Sequence, residues 1–210
     1  MMTIAAFLDS IRQTASVDFP TRWGQFRMIG FERDLPASAV CRRETALALI
    51  MGDLKSTPPL LRIHSQCVTG DALGSLRCDC GEQLRLALSM IAEEARGVLI
   101  YEEKEGRGIG LTSKLEAYEL QDCGCDTVEA NERLGLKNDY REFHLPAGIL
   151  RHLGISKVRL ITNNPDKVDA MRKAGIEIAE RIPCEAPPSP FALKYLDTKK
   201  RKLGHLLSSL

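Results

Sequence analysis

The sequence contains no apolar run close to the ~18–20 residues needed to span a bilayer. It also lacks the start of a secretory leader: MMTIAAFLDSIRQ has neither a basic opening nor a long apolar core, so export is not expected. Net charge is almost absent. Lys and Arg number 29 against 28 Asp and Glu, leaving +1, so no global field draws in nucleic acid or a membrane surface. Internal repeats and low-complexity tracts are missing too. What is present, 44% hydrophobic and 27% charged residues, is ordinary globular usage and excludes general disorder. At ~150 residues per domain, 210 residues suggest one domain, or one with an appendage. A cytoplasmic, single-core chain is expected, and composition names no function.

The seven cysteines are the feature composition leaves unexplained. An odd count without a leader argues against a disulfide framework. Three cluster in CVTGDALGSLRCDC as Cys67, Cys78 and Cys80, where a loop through Gly70 and Gly74 can return the first thiol to the other two. Three thiolates would leave one tetrahedral zinc position open, the feature that separates catalytic from closed structural sites. Spacing alone also permits three unrelated, buried thiols. Cys123 and Cys125 in DCGCD would close the site if either supplied a fourth ligand; a thiol-rich turn is the plainer reading. For Cys41 and Cys184, burial is expected.

Short β-branched runs alternate with amphipathic ones. Strands are expected over 26–31, 46–51, 60–64, 98–101 and 158–162, and helices over 82–95, 111–121, 147–153 and 165–174. Leu84, Leu88, Ile91 and Ala95 give the first helix one buried face. Asn164, Pro165 and Gly175 punctuate the last. Such alternation indicates an α/β fold: a single domain with a mixed, partly parallel sheet flanked by helices. Residues up to about Val17 read as a short amphipathic segment. The run Lys199–Lys202 (KKRK) reads as a solvated face, weak evidence for nucleic acid.

Several loops have the residue types of a binding site. RIHSQ leads into the cysteine loop, so Arg62, His64 and Ser65 approach it from a strand end. Gly81–Gln83 open the following helix, where anions and polar groups are favoured. In EKEGRGIG the glycines let backbone pass close to a ligand, and Arg107 offers a fork for phosphate or carboxylate. That stretch is neither a P-loop nor a full G-x-G-x-x-G. Asp139 and Arg141 in NDYREF, and TNNPDK at 162–167, sit where α/β enzymes bind ligands, although a surface ion pair and simple helix capping would explain them equally.

Taken together, RIHSQCVTGDALGSLRCDCG, EGRGIGL, KLEAYELQD, DTVEAN, the Asp139-x-Arg141 pair, RLITNNPDK and YLDTKKRKLGHLL resemble GTP cyclohydrolase II, from about Pro20 to the C-terminus. The resemblance implies an enzyme of riboflavin biosynthesis that opens the guanine imidazole ring of GTP, releases formate and pyrophosphate and leaves a diaminopyrimidine ribonucleotide. It implies one catalytic zinc per chain on Cys67, Cys78 and Cys80, with magnesium on the triphosphate. It places Arg62, Ile63, His64, Ser65, Gln66, Gln83, Glu105, Gly106, Arg107, Thr127, Thr162 and Lys167 against GTP. Arg62, Arg107 and Lys167 would take phosphate, and Gln83 or Glu105 the guanine edge. Tyr118 would act near the opening ring. The family gives Arg141 the attack on the α-phosphorus, with Asp139 accepting its proton; stabilising phosphoryl charge is the ordinary role for an arginine. A homodimer is also implied.

The sequence departs from the family at Gln66, commonly Glu, and at Glu103-Lys104, usually Arg-Gln; the Cys123–Cys125 pair is also foreign to it. A paralogue that stops at the formamidopyrimidine or takes another purine nucleotide, and a non-catalytic zinc-stabilised nucleotide module, are therefore the alternatives. Residues 1–19 are expected to be a short extension and residues 20–210 the cyclohydrolase-like domain. No nucleic-acid or membrane partner is expected.

Overall fold

The computed structural model describes residues 11–35 and 43–208. Its strands are β1 (Ile11–Thr21), β2 (Gly24–Asp34), β3 (Arg43–Met51), β4 (Leu60–Ser65), β5 (Gly97–Glu102), β6 (Lys157–Ile161) and β7 (Glu177–Ile182). They form one sheet in the order β1-β2-β3-β5-β4-β6-β7. The β1–β2–β3 meander and its junction with β5 are antiparallel, while β5, β4, β6 and β7 run parallel. Among the described residues seven helices follow in chain order: α1 (Val68–Asp71), α2 (Cys80–Glu94), α3 (Leu111–Asp122), α4 (Thr127–Arg133), α5 (His144–His152), α6 (Pro165–Lys173) and α7 (Leu193–Leu203). The fold is α/β with a mixed sheet, as expected.

Burial explains the layering. In β5 only Tyr101 is not fully buried, and β4 is buried from Leu60 to His64, the pattern of parallel strands covered on both faces. Ala87, Leu88 and Ile91 of α2 pack on one face against Phe26, Leu49, Leu60 and Leu99. Leu145, Ile149 and Leu150 of α5 and Val168 and Met171 of α6 pack on the other, against Ile63, Val98, Ile100 and Leu160.

The topology locates a crevice. From β4 the chain crosses to β5 on one side, and from β6 it crosses to β7 on the other. Between β4 and β6 the connections diverge, the switch point beyond whose carboxyl ends ligands bind in open α/β sheets. These two strands pair only at Leu60↔Arg159 and Leu61↔Leu160 and then part. Two cationic side chains take the carbonyls at the split: Lys167 Nζ donates to Ile63 O (2.8 Å) and Arg62 Nη1 to Ile161 O (3.1 Å).

Four segments differ from the sequence reading. Residues 11–17, read as amphipathic, belong to edge strand β1, paired with β2 along its length. β7 and α4 were not anticipated. The basic tail is helix α7, and its Lys199 is buried instead of solvated, because it faces an acidic partner inside the molecule. Residues 1–10 of the expected extension and Cys41 lie outside the described residues.

Candidate active site

The C-terminal end of β4 delivers Cys67 directly, and α1 turns the chain so that Cys78 and Cys80 meet it. The three Sγ atoms lie within 4.8 Å of one another, with Cys67 and Cys78 at 3.7 Å. Tetrahedral thiolates at Zn–S ~2.3 Å stand ~3.8 Å apart, so the cluster fits zinc. Two glycines make the cradle possible. A Cβ on Gly70 would sit 2.9 Å from Cys78 Sγ and 3.3 Å from Cys67 Sγ, and one on Gly81 would sit 2.4 Å from Gly70 O. Among the described residues no fourth His, Cys, Asp or Glu joins the group. Cys123 is exposed and Cys125 packs separately with Ala117 and Ala130. Cys184 is fully buried, as expected.

The thiols are electrostatically prepared. Hydrogen bonds from Cys78 and Cys80, supported by Thr69 and the Lys114 ammonium, hold Cys67 as a thiolate far below the usual thiol range. The shared proton pushes Cys78 up to about 11 and Cys80 well above its usual value. Lys114 Nζ spends all three donors here, on Cys67 Sγ (3.1 Å), Thr69 Oγ1 (2.9 Å) and Glu105 Oε1 (2.7 Å). Asp71 fixes the other side. It accepts from His64 Nε2 (3.1 Å), Cys67 N (2.9 Å) and the Tyr101 hydroxyl (2.9 Å). Burial first, then neighbouring cations, keeps His64 below its usual pKa, although Asp71 pulls the other way.

Beyond the thiols the cleft encloses about 1070 Å³, its open mouth included. Every site residue expected from the sequence lines it except Ile63 and Asp139. Ile63 is buried in β4 and offers only its carbonyl, to Lys167. Asp139 reaches the cleft through Arg141, whose Nε donates to its two oxygens at 2.9 and 3.1 Å, while Arg141 Nη1 donates to Ser65 Oγ at 3.3 Å. Burial opposes the charge on both partners; their mutual hydrogen bonds outweigh it, so Asp139 is shifted down and Arg141 up. Gln83 is committed at both ends, accepting from Arg62 Nη2 (2.7 Å) and donating to Asp79. Asp79 in turn pairs with Lys199 Nζ at 2.9 Å. That commitment explains why Asp79, at the N-cap of α2, makes no side-chain cap.

The EGRG turn after β5 is strained toward the cleft. Gly106 and Arg107 both take the left-handed region, at φ 60° and 61°. For arginine that conformation is costly and is a mark of functional sites. Arg107 Nη2 is buried with no hydrogen-bond partner among the described residues. Thr127 opens α4, whose Asp126–Glu129 capping box fixes its start. Thr162 and Lys167 flank the Asn164-capped start of α6. Tyr118 on α3 lies under Arg77 (4.9 Å to the ring centroid) and Lys114 (5.7 Å).

Residues 12–183 match GTP cyclohydrolase II. The chain belongs to the GTP cyclohydrolase II family. It is 52% identical to a GTP cyclohydrolase-2 of Baumannia cicadellinicola over 198 residues, covering 94% of this chain and 96% of that one. To that of Proteus mirabilis it is 51% identical over 198 residues (94% and 96%), and to that of Haemophilus influenzae 51% over 199 residues (94% and 89%). A solved two-domain 3,4-dihydroxy-2-butanone 4-phosphate synthase from A. baumannii matches 88% of this chain and 44% of its own, at 18% identity and TM-score 0.45. The cyclohydrolase II relatives are enzymes, and so is this chain. No helix among the described residues is long and apolar enough to cross a membrane.

Sequence reasoning missed part of the cleft wall: Arg77, Lys114, Tyr195, Lys199 and His205. Lys114 lay in KLEAYELQD and the last three in YLDTKKRKLGHLL, both quoted for the resemblance without a role. A lysine inside an otherwise amphipathic helix was the available signal for Lys114. Nothing in the spacing distinguished Lys199 from its exposed neighbours.

Proposed function

We propose that this enzyme hydrolyses GTP to formate, pyrophosphate and a diaminopyrimidine ribonucleotide, the reaction that begins riboflavin biosynthesis. The observation that carries the reading is one cleft holding a three-thiol metal cradle at one end and unpartnered cationic donors at the other. One zinc per chain on Cys67, Cys78 and Cys80 would act as a Lewis acid and lower the pKa of water to about 7. Lys114 offsets the negative charge of three thiolates around a divalent ion, and Asp71 orients Cys67 and His64. Tyr118, its ring beneath Lys114, would orient the formyl group as the ring carbon is released. The balance requires two waters to free that carbon as formate and one to cleave the phosphoanhydride.

Arg107, Lys167 and Arg141 bind the phosphates, with magnesium carried on the triphosphate. Arg62 is more heavily committed within the protein and positions Gln83. Glu105 already accepts from Lys114 Nζ, Gly106 N and Val68 N, whereas Gln83 keeps one amide N–H and one carbonyl lone pair free for the guanine edge beside its bonds to Arg62 and Asp79. Arg141 stays protonated against Asp139, so its role is to stabilise charge developing at the α-phosphate while water supplies the nucleophile. Ser65, Gln66, Gly106, Thr127 and Thr162 complete the nucleotide contacts. We further propose a cytoplasmic homodimer. The dimer is supported by exposed Val17 and Leu47 on the apolar face of β1–β3, and sedimentation checks it.

Incubating zinc-loaded enzyme with GTP and magnesium should yield stoichiometric formate and pyrophosphate by mass spectrometry. A formamidopyrimidine end product would favour the second reading. That reading draws on Lys104, which lines the cleft paired to Glu44, and on Gln66, both departures from the family pattern. An inert loaded protein would leave only the non-catalytic nucleotide module.

A further inference from the structure

Residues beyond 183, past the family match at 12–183 but reached by the 198-residue alignments with the cyclohydrolase-2 relatives, close one wall of the cleft with Tyr195, Lys199 and His205. This wall is built, not draped. Lys199 Nζ pairs with Asp79 at 2.9 Å and sits 4.4 Å from the Tyr195 ring centroid, with Arg107 at 5.9 Å from the same ring. Helix α7 stops at Gly204, φ 64°, the left-handed end that glycine adopts without a clash. The following turn is anchored on both sides of the imidazole. His205 N donates to Lys199 O (3.0 Å), and Leu206 N donates to Asn163 O (2.8 Å), beside Thr162 and the cap of α6. Ser208 N and Oγ then both donate to Glu185, at 2.9 Å each.

Basic groups from four elements act on this histidine: Lys199 on α7, Arg107 in the turn after β5, Arg141 before α5, and Lys167 on α6, which burial and then Arg141 and Arg62 push well below the usual lysine range. They include the groups assigned above to the phosphates. We infer that His205 is a polyphosphate-contacting residue that binds the substrate's triphosphate as an imidazolium formed when the anion enters. The inference rests on the nucleotide reading above. In the free protein, burial and then the positive charge around it, Lys199 and Arg107 foremost, hold His205 down at about 3, so it enters the encounter neutral. A triphosphate compensates those cations. The repulsion disappears, a proton moves from solvent to the imidazole, and a charge-assisted hydrogen bond to phosphate oxygen forms. Linkage makes the effect reciprocal: anion binding must take up protons, and must tighten as pH falls through neutrality.

Calorimetry of zinc-loaded full-length enzyme with inorganic tripolyphosphate, in two buffers of different ionisation enthalpy near pH 7, counts those protons. His205→Gln should bind about tenfold more weakly, the loss of one charge-assisted hydrogen bond, and take up fewer protons than wild type. Equal affinity or equal uptake overturns the inference and leaves the nucleotide reading intact. A wild-type enzyme that binds neither tripolyphosphate nor GTP sinks both. A second measurement needs no variant. The chain has four histidines, and the ring resonances of His205 must move from the neutral to the imidazolium position on adding tripolyphosphate. Unmoved resonances refute the assignment.

Discussion

Arg107 is held where an L-residue pays about 1 kcal/mol or more in backbone sterics, and its buried Nη2 finds no hydrogen-bond partner among the described residues. A position that is strained in the empty enzyme and unsatisfied there is one whose justification lies in a ligand. Arg107→Gly should therefore stabilise the fold by about 1 kcal/mol in urea unfolding while raising KM for GTP at least tenfold. Unchanged or reduced stability would mean that the left-handed turn is relaxed in solution. The same logic separates residues that look alike in sequence. Arg62 is nearly satisfied within the protein and Arg107 is not, a difference no motif records. Glu102 makes a related point: burial pushes it up to about 7, both its oxygens lack hydrogen-bond partners, and only the charges of Lys167, Lys104 and Arg141 offset the cost.

At the level of elements, the junction of α1 and α2 is where backbone spacing determines metal binding. Gly70→Ala would thrust a methyl between Cys78 and Cys67. Zinc content should fall well below one per chain while circular dichroism stays native, because α1 is a single turn outside the main core; full zinc occupancy would show that the loop yields. The elements readable from sequence were those buried on one or both faces, such as β4, β5 and α2, because burial writes a hydrophobic period. β1 and β7 were invisible for the opposite reason. They are edge strands; IRQTASVDFPT exposes most of its side chains and EIAERI half of them, and neither fully buries one, leaving no alternation to detect. Helix α4 carried a legible capping box in Asp126 and Glu129 that was not used. Helix α5 begins at His144, three residues before the expected start, since Pro146 fits a first turn. In α7 the KKRK run mixes buried Lys199 with exposed neighbours, and the distinction depends on Asp79, 120 residues away.

Across the whole molecule, the thiol cradle, the cationic end and the C-terminal wall converge from segments spread between residues 62 and 205, which is why individual motifs looked like turns and caps until assembled. The sheet itself is continuous in order but not in strength. Two backbone pairs and the Arg62 side chain join β4 to β6, and Lys167 ties β4 to α6, whereas β4 and β5 pair along their full length. Within the sheet the molecule is two plates sharing a narrow hinge line, bridged on one face by α5 and α6, which pack against strands on both sides of it; the cleft lies across that line. Without ligand, amides of β6 and β7 should exchange with deuterium at a lower opening free energy than those of β3 and β5. Tripolyphosphate, gripped by Lys167 from one plate and Arg107 from the other, should bring the two rates together; equal protection before binding would deny the hinge. Substrate would then serve this enzyme as a rivet as well as a reactant.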